Sequence, residues 1–238
     1  MMLHAAKIDP AQNLLLAALS AEVLDRLLPR LKLIDMPRGR VLYEPGFRME
    51  NTYFPTHNCI VGKCYVTNEG ASTGISVVGN EGMVGMSLLM GDGTHINQGT
   101  VLSPGQAFQL EQKLLKAEFD SNNELQRLLL RYAQAVITQT ELAVACNRRH
   151  SIEQQLCRLL LLCLDRREDE EIWMTQELIA NMLGVRREGV TAAANKLRVD
   201  GLIRYCRGHI KVFDRLGLEA RACECYGVVK QEYDRLLP

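Results

Sequence analysis

Residues 175–198 read TQELIANMLGVRREGVTAAANKLR, and this stretch decides the fold. Thr175–Leu183 sets Leu178, Ile179, Met182 and Leu183 on one side, the spacing of an amphipathic helix. Gly184 follows, the residue suited to a left-handed helix exit. Val185 offers an apolar contact at the turn, and a second helix begins near Arg186, with Val190, Ala194 and Leu197 at helical spacing. Its first turn exposes Arg186, Arg187 and Glu188, groups that reach phosphates and base edges. Two helices in this order are the layout of a helix-turn-helix whose second helix enters a DNA major groove.

The sequence just downstream adds a wing. Gly201–Tyr205 reads as a short strand, Arg207-Gly208 as a hairpin turn, and His209–Phe213 as the returning strand. Between Thr175 and Arg215 the cations Arg186, Arg187, Lys196, Arg198, Arg204, Arg207, Lys211 and Arg215 outnumber Glu177, Glu188, Asp200 and Asp214. The whole chain has a formal net charge of +0. Charge is therefore segregated, and a basic face on a neutral protein suits phosphate neutralisation.

Upstream, a helical entry over about residues 14–30 carries Leu24, Leu27, Leu28 and Leu31 on one face. Strand-like stretches follow at Val41–Tyr43, Cys59–Val66, Gly74–Val78 and Gln106–Leu110, separated by turn residues such as Glu44-Pro45-Gly46 and Ser103-Pro104-Gly105. Short strands at this spacing imply an antiparallel roll or barrel. After Leu114 the helical period returns. Leu125, Leu128 or Leu129, Tyr132, Val136, Gln139, Leu142 or Ala143, and Cys146 recur three and four apart. That seam implies either a parallel coiled-coil-like homodimer or a core helix packed within its own chain. A further helix spans Ile152–Asp165, and Arg166–Glu171 reads as a charged surface connection.

Composition bounds the classes. A chain of 238 residues, 47% apolar, accommodates two modest domains, each with its own core. The most apolar run, Leu156–Leu164, is broken by Arg158 and falls short of the roughly 20 residues a membrane span needs. Little positive charge precedes the apolar N-terminal stretch, which reads as an amphipathic helix rather than a signal peptide. A cytoplasmic protein without a membrane partner is expected. Cys59, Cys64, Cys146, Cys157, Cys163, Cys206, Cys223 and Cys225 form no C-x-x-C pair and read as reduced thiols. Cys223 and Cys225, two apart on a helix, point to different faces, so no metal site is expected. The sequence lacks G-x-S-x-G, H-E-x-x-H, a Walker loop and a dinucleotide fingerprint. His4, His57, His95, His150 and His209 fall in separate elements, and no catalytic residue is assigned.

In the order helix, β-roll, long helix, winged helix-turn-helix, the chain resembles the Crp/Fnr family of bacterial transcription regulators over nearly its whole length. Arg187-Glu188, after Leu183-Gly184-Val185, stand where that family often carries an Arg-Glu pair. The resemblance implies an α+β fold: an N-terminal antiparallel β-roll (a double-stranded β-helix or jelly roll), a long dimerisation helix, and a C-terminal winged helix-turn-helix. The expected divisions are a cyclic-nucleotide-binding-like sensor domain over 1–120, a dimerisation helix over 121–150 and a DNA-binding domain over 151–238. It further implies a homodimer on a palindromic double-stranded operator, with RNA polymerase as a candidate partner. Arg187 would donate to guanine and Glu188 accept from cytosine or orient the arginine. Where the cyclic AMP receptor protein commonly reads with arginine, Ala192 stands here, so the operator should differ. The expected DNA-facing set is Thr175, Gln176, Arg186, Arg187, Glu188, Thr191, Ala192, Lys196, Arg207, His209 and Lys211.

The expected effector pocket comprises Met83, Gly85, Met86, Ser87, His95, Asn97, Gln98, Gln139 and Thr140. Its chemistry departs from the family. Met86 stands where the ribose-binding glutamate should be, and Ile96 or Asn97 near the phosphate-binding arginine. No Lys or Arg lies between Lys63 and Lys113, and a buried phosphodiester needs a cation or several amides. Cyclic AMP is not expected, no cofactor is assigned, and the effector is open. No cysteine cluster precedes Cys59, and a haem ligand at His57 or His95 is not expected. The alternative function is a ligand- or redox-sensing adaptor with weak or no DNA binding.

Overall fold

A computed structural model describes residues 9–237. His4 and the first part of the expected N-terminal amphipathic helix lie outside them. The helical entry is broken into α1 (Leu14–Ala17) and α2 (Ala21–Leu27), each short, which bury Leu15, Leu16, Val23 and Leu27. Asn13 fixes the first of them: its Oδ1 accepts from the amides of Leu15 and Leu16, and its Nδ2 donates to the carbonyls of Pro55 and Gly82. The α1 segment is thus anchored to the roll by a polar group that is fully buried.

The roll contains β1 (Lys32–Met36), β2 (Val41–Tyr43), β3 (Asn51–Pro55), β4 (Ile60–Val66), β5 (Ser72–Val78), β6 (Gln98–Ser103) and β7 (Gly105–Glu111), with α3 (Ser87–Met90) between β5 and β6. All pairings are antiparallel, in one sheet of order β1-β7-β3 and another of order β2-β6-β4-β5. The four expected strands are present. β1, β3 and β6 carry no clean alternation: β3 buries Thr52–Pro55 consecutively, so period-2 patterning does not mark it.

After α4 (Gln112–Ser121) comes the 27-residue α5 (Asn123–Arg149), about 40 Å long at 1.5 Å per residue. Its predicted seam packs within the chain. Leu125, Leu128, Leu129, Tyr132, Gln139, Ala143 and Cys146 are all buried. Tyr132 donates to the Met83 carbonyl at 3.0 Å, and Gly82 lies so close beneath the ring that a Cβ there would fall 2.4 Å from the Tyr132 oxygen. The face that remains open carries Leu130, Ile137 and Val144, 51%, 45% and 69% exposed and seven residues apart. Of the two alternatives for the seam, the core helix is the one found, and a second apolar stripe lies beside it.

The C-terminal part contains α6 (Ile152–Leu164), β8 (Glu171–Trp173), α7 (Gln176–Leu183), α8 (Arg187–Val199), β9 (Ile203–Cys206), β10 (His209–Val212), α9 (Arg215–Arg221) and α10 (Glu224–Leu236). One apolar cluster runs from Leu15 and Phe108 through Leu128 and Leu160 to Leu197 and Tyr233, while a second, with Met36, Tyr53, Val61 and Val84, is confined to the roll. The connection after α6 is a surface segment at Glu168, Asp169 and Glu170, which are exposed, but not at its two arginines. Arg166 is buried and pairs with Glu81 of the roll at 2.7 and 2.9 Å. Arg167 bonds Ser103 Oγ and Asp169, while the Glu168 amide donates to Asn58 Oδ1 at 3.2 Å. A charge run reads as solvated, but here the roll supplies the acceptors that let two of its arginines be covered.

Candidate nucleic-acid interface and sensor pocket

The helix-turn-helix is built by its caps. Thr175 Oγ1 accepts from the Leu178 amide at 3.1 Å and starts α7. Gly184, at φ 65°, ends it in the left-handed region, and the amides of Gly184 and Val185 both return to the Ala180 carbonyl. Arg186 has an extended backbone and is the N-cap of α8. Val190, Ala193, Ala194 and Leu197 are buried, which turns Arg186, Arg187, Glu188 and Ala192 to solvent. The expected apolar and polar faces of α8 are those observed.

Not every expected contact residue is equally available. Thr191 Oγ1 donates to Gln176 Oε1 at 2.9 Å and to the Arg187 carbonyl at 3.0 Å, so its hydroxyl ties α8 to α7. Lys196 pairs with Glu153 of α6 at 2.6 Å. In the wing, Arg207 (φ 49°) and Gly208 (φ 79°) form the two-residue turn between β9 and β10, the geometry that matches strand twist. Gly208 packs beside Thr175, leaving Arg207 exposed at the tip. His209 stacks on Trp173 with centroids 4.2 Å apart and lies 3.0 Å from Glu171 Oε2. Lys211 is 3.5 Å from the same carboxylate. These two are held by β8, a strand absent from the sequence reading, which extends the wing to the order β8-β10-β9.

Thr175, Gln176, Glu177, Arg187, Tyr205, Arg207 and Gly208 line one cleft of about 470 Å³ between the starts of α7 and α8 and the wing. Burial raises the Tyr205 phenol above its ordinary range, opposed by the charges of Arg187 and Arg38. Arg38, in the turn after β1, therefore extends the positive field from the roll toward the wing; its distance in sequence hid it. Among the described residues, Arg186, Arg187, Arg198, Arg204 and Arg207 make no ion pair, so their charge is available to an external anion.

Known proteins agree with this geometry. The domain family described as Crp-like helix-turn-helix domain matches residues 154–221. Residues 154–221 are thus a Crp-like helix-turn-helix domain. No curated protein sequence matches it. A putative Crp/Fnr-family transcriptional regulator from Eubacterium rectale superposes with a TM-score of 0.68 at 15% identity, over 89% of this chain and 98% of that one. FixK2 from Bradyrhizobium japonicum gives 0.67 at 15% identity, over 81% and 98%. The c-di-GMP responsive regulator CLP from Xanthomonas campestris gives 0.62 at 14% identity, over 82% and 100%. At these identities the likeness establishes the fold, and the C-terminal match establishes the DNA-binding domain type.

In the roll, Tyr43, Lys63, Met86, Ser87, Met90, Asp92, Thr94, His95 and Asn97 line a cleft of about 370 Å³. Met86, Ser87, His95 and Asn97 were expected there. Met83 is instead buried under Tyr132, and Gly85 (φ 114°) packs on Thr52. Gln98 pairs with Cys64 in the sheet. Gln139 lies in a separate cavity with Ser76 and Arg158, and Thr140 bonds back to the Val136 carbonyl.

The expected absence of a pocket cation needs correction. Lys63, at the margin of the cation-free stretch, projects from β4 into the cleft. Burial pulls its ammonium down to about 8, with Glu81 opposing. His95 is not a second cation. Its Nε2 lies 2.8 Å from Ser87 Oγ, its ring stacks on Tyr43 at 3.9 Å, and burial followed by the Lys63 charge lowers its pKa to about 4. Gly99 makes room for that stack: a Cβ there would sit 2.2 Å from the Tyr43 ring. Sequence distance separated Lys63 and Tyr43 from Met86, Ser87, His95 and Asn97; the antiparallel sheet brings them together.

Proposed function

We propose that the chain is a homodimeric, sequence-specific DNA-binding transcription regulator that reads base edges through the first turn of α8. The observation that carries this reading is that Arg186, Arg187 and Glu188 are exposed at the start of α8 and make no ion pair among the described residues, with Arg187 lining the cleft whose other wall holds Arg207. A guanidinium fork fits the two acceptors of guanine, and a carboxylate fits the cytosine amine. Thr175, Gln176, Arg207 and, at the cost of its Glu171 contact, Lys211 serve as phosphate or positioning contacts. Thr191 keeps α8 at a fixed angle to α7 through Gln176, and Ala192 offers a methyl to thymine. Lys196 and His209 contribute through Glu153 and Trp173 rather than by free reach.

Dimerisation uses the open stripe of α5. Leu130, Ile137 and Val144 repeat at seven residues, with the half-buried Thr140 and Asn147 three residues after the last two, a pattern that a second copy completes as a parallel seam. Two α8 helices about a two-fold axis then read half-sites about one helical turn apart. For the input, Met86 in the pocket wall supplies no carboxylate for a ribose hydroxyl, although Lys63 offers the cleft a cation. This favours control by an effector other than cyclic AMP. RNA polymerase contact belongs to the same reading.

The test is selection of binding sites from random DNA followed by titration. A palindromic site is expected, and Arg187→Ala should relax preference at one position at a cost of about 1–3 kcal/mol. Equal weakening on all sequences would make Arg187 a phosphate contact, and no enriched site would remove the reading in favour of an adaptor. Saturating cyclic AMP should leave the affinity unchanged.

A further inference from the structure

The junction of α5 and α10 gathers four side chains that neither the DNA cleft nor the roll pocket uses. Cys146 and His150 lie four residues apart at the end of α5 and share a face. Cys223 and Cys225 come from the start of α10. The sequence reading placed those two sulfurs on different helix faces. In the structure Cys223 is the N-cap, with extended φ −78° and ψ 163°, so its side chain does not follow the helical rotation and both sulfurs converge.

The Sγ atoms of Cys146 and Cys223 are 3.5 Å apart, and Cys225 Sγ is 3.7 Å from His150 Nδ1. One ligand atom from each of the four residues lies within 4.8 Å of every other. A tetrahedral zinc with S at ~2.3 Å and N at ~2.0 Å spaces its ligands by roughly 3.5–3.8 Å. The set is therefore near the size of a one-ion centre. All three cysteines are buried, and the His150 side chain is 16% exposed.

Surrounding groups favour the metal-binding forms. His150 Nε2 lies 3.3 Å from Glu224 Oε1, so the carboxylate takes that N–H and turns the Nδ1 lone pair toward the sulfurs. Metal-bound histidines characteristically carry such an outer partner. The buried guanidinium of Arg158 in α6 places a positive charge within electrostatic reach of Cys146 and Cys225.

We propose that Cys146, His150, Cys223 and Cys225 form a Cys3His site for a single Zn2+. Binding displaces the three thiol protons to solvent and leaves a centre of net charge −1, which Arg158 offsets. The site joins residues 146 and 225 beside the break between α5 and α6, where His150 and Ser151 are extended. It acts as a staple that sets the angle between the long helix and the DNA-binding domain.

The test measures metal in the full chain purified under reducing conditions and then titrates chelator-stripped protein with Zn2+ and Co2+. About one zinc per chain is expected, and Co2+ should give the thiolate charge-transfer and d–d bands of a tetrahedral centre. Cys225→Ser should abolish stoichiometric zinc, Glu224→Gln should weaken Zn2+ binding about 10–100-fold, and Cys206→Ser, at an exposed sulfur outside the set, should change nothing. Glu224→Gln alters one exposed side chain, so it keeps the proposal testable where Cys225→Ser fails to fold. A wild-type chain that takes up neither ion, a Cys225→Ser chain that keeps full zinc, or a Cys146–Cys223 disulfide found by peptide mapping would overturn the assignment.

Discussion

Glu81→Gln is the perturbation that most directly probes how the roll and the DNA-binding domain are joined. Glu81 and Arg166 meet at 2.7 and 2.9 Å, with side chains 14% and 5% exposed. The guanidinium also donates to the Leu162 carbonyl at 2.5 Å and packs its stem against Gly79, where a Cβ would fall 2.6 Å from Arg166 Cγ. Arg166 therefore cannot swing to water when its partner loses charge. Breaking a buried pair from one side costs about 3–5 kcal/mol, because the other charge stays behind uncompensated. For a chain of this size that is a fall on the order of 10 °C in Tm. The reverse change, Arg166→Met, should cost less. It retains the stem contact, and Glu81 keeps the Gly79 amide at 3.0 Å. The double variant should recover most of the Glu81→Gln loss. Urea denaturation of the four proteins at pH 7 measures the cycle. Additive effects, or a Glu81→Gln loss under about 1 kcal/mol, would refute the claim that this connection is a buried latch.

Three further expectations follow from the geometry. Ile137→Glu places a charge at the centre of the open α5 stripe; the chain should remain folded by circular dichroism but become monomeric by sedimentation, and lose half-site cooperativity. Lys211→Ala should weaken binding about equally on all DNA sequences and lower the salt slope by about one, read by titration at several ionic strengths. His95 has a folded pKa of about 4, below the roughly 6.5 of an unfolded chain. Its contribution to stability is thus complete above about pH 6.5 and is lost as pH falls toward 4. The urea midpoint of wild type should drop more steeply over that window than that of His95→Gln.

Much of the output side was legible because its signals are local. Thr175, Gly184 and the Arg207-Gly208 turn each act on their own backbone, and the positions predicted from them are those found. The helical period of α8 fixed which residues face outward. Errors arose where one sequence pattern fits two environments. Arg166–Glu171 reads as solvated until the roll supplies Glu81, Ser103 and Asn58. Lys196 reads as a DNA-facing cation without a partner, and α6 supplies Glu153 to it. Strand β8 is too short to announce itself and exists through its pairing with β10.

By itself the sequence determined the order of the parts and the exposed first turn of α8, since caps, left-handed glycines and helical periodicity are set within a few residues. Tertiary structure decided which apolar stripe of α5 turns inward, that Lys63 and Tyr43 complete the roll pocket, and that Cys146 and His150 meet Cys223 and Cys225. Those outcomes depend on contacts between residues 20 to 80 positions apart. Periodicity reports that a face exists; only the packed chain determines what covers it.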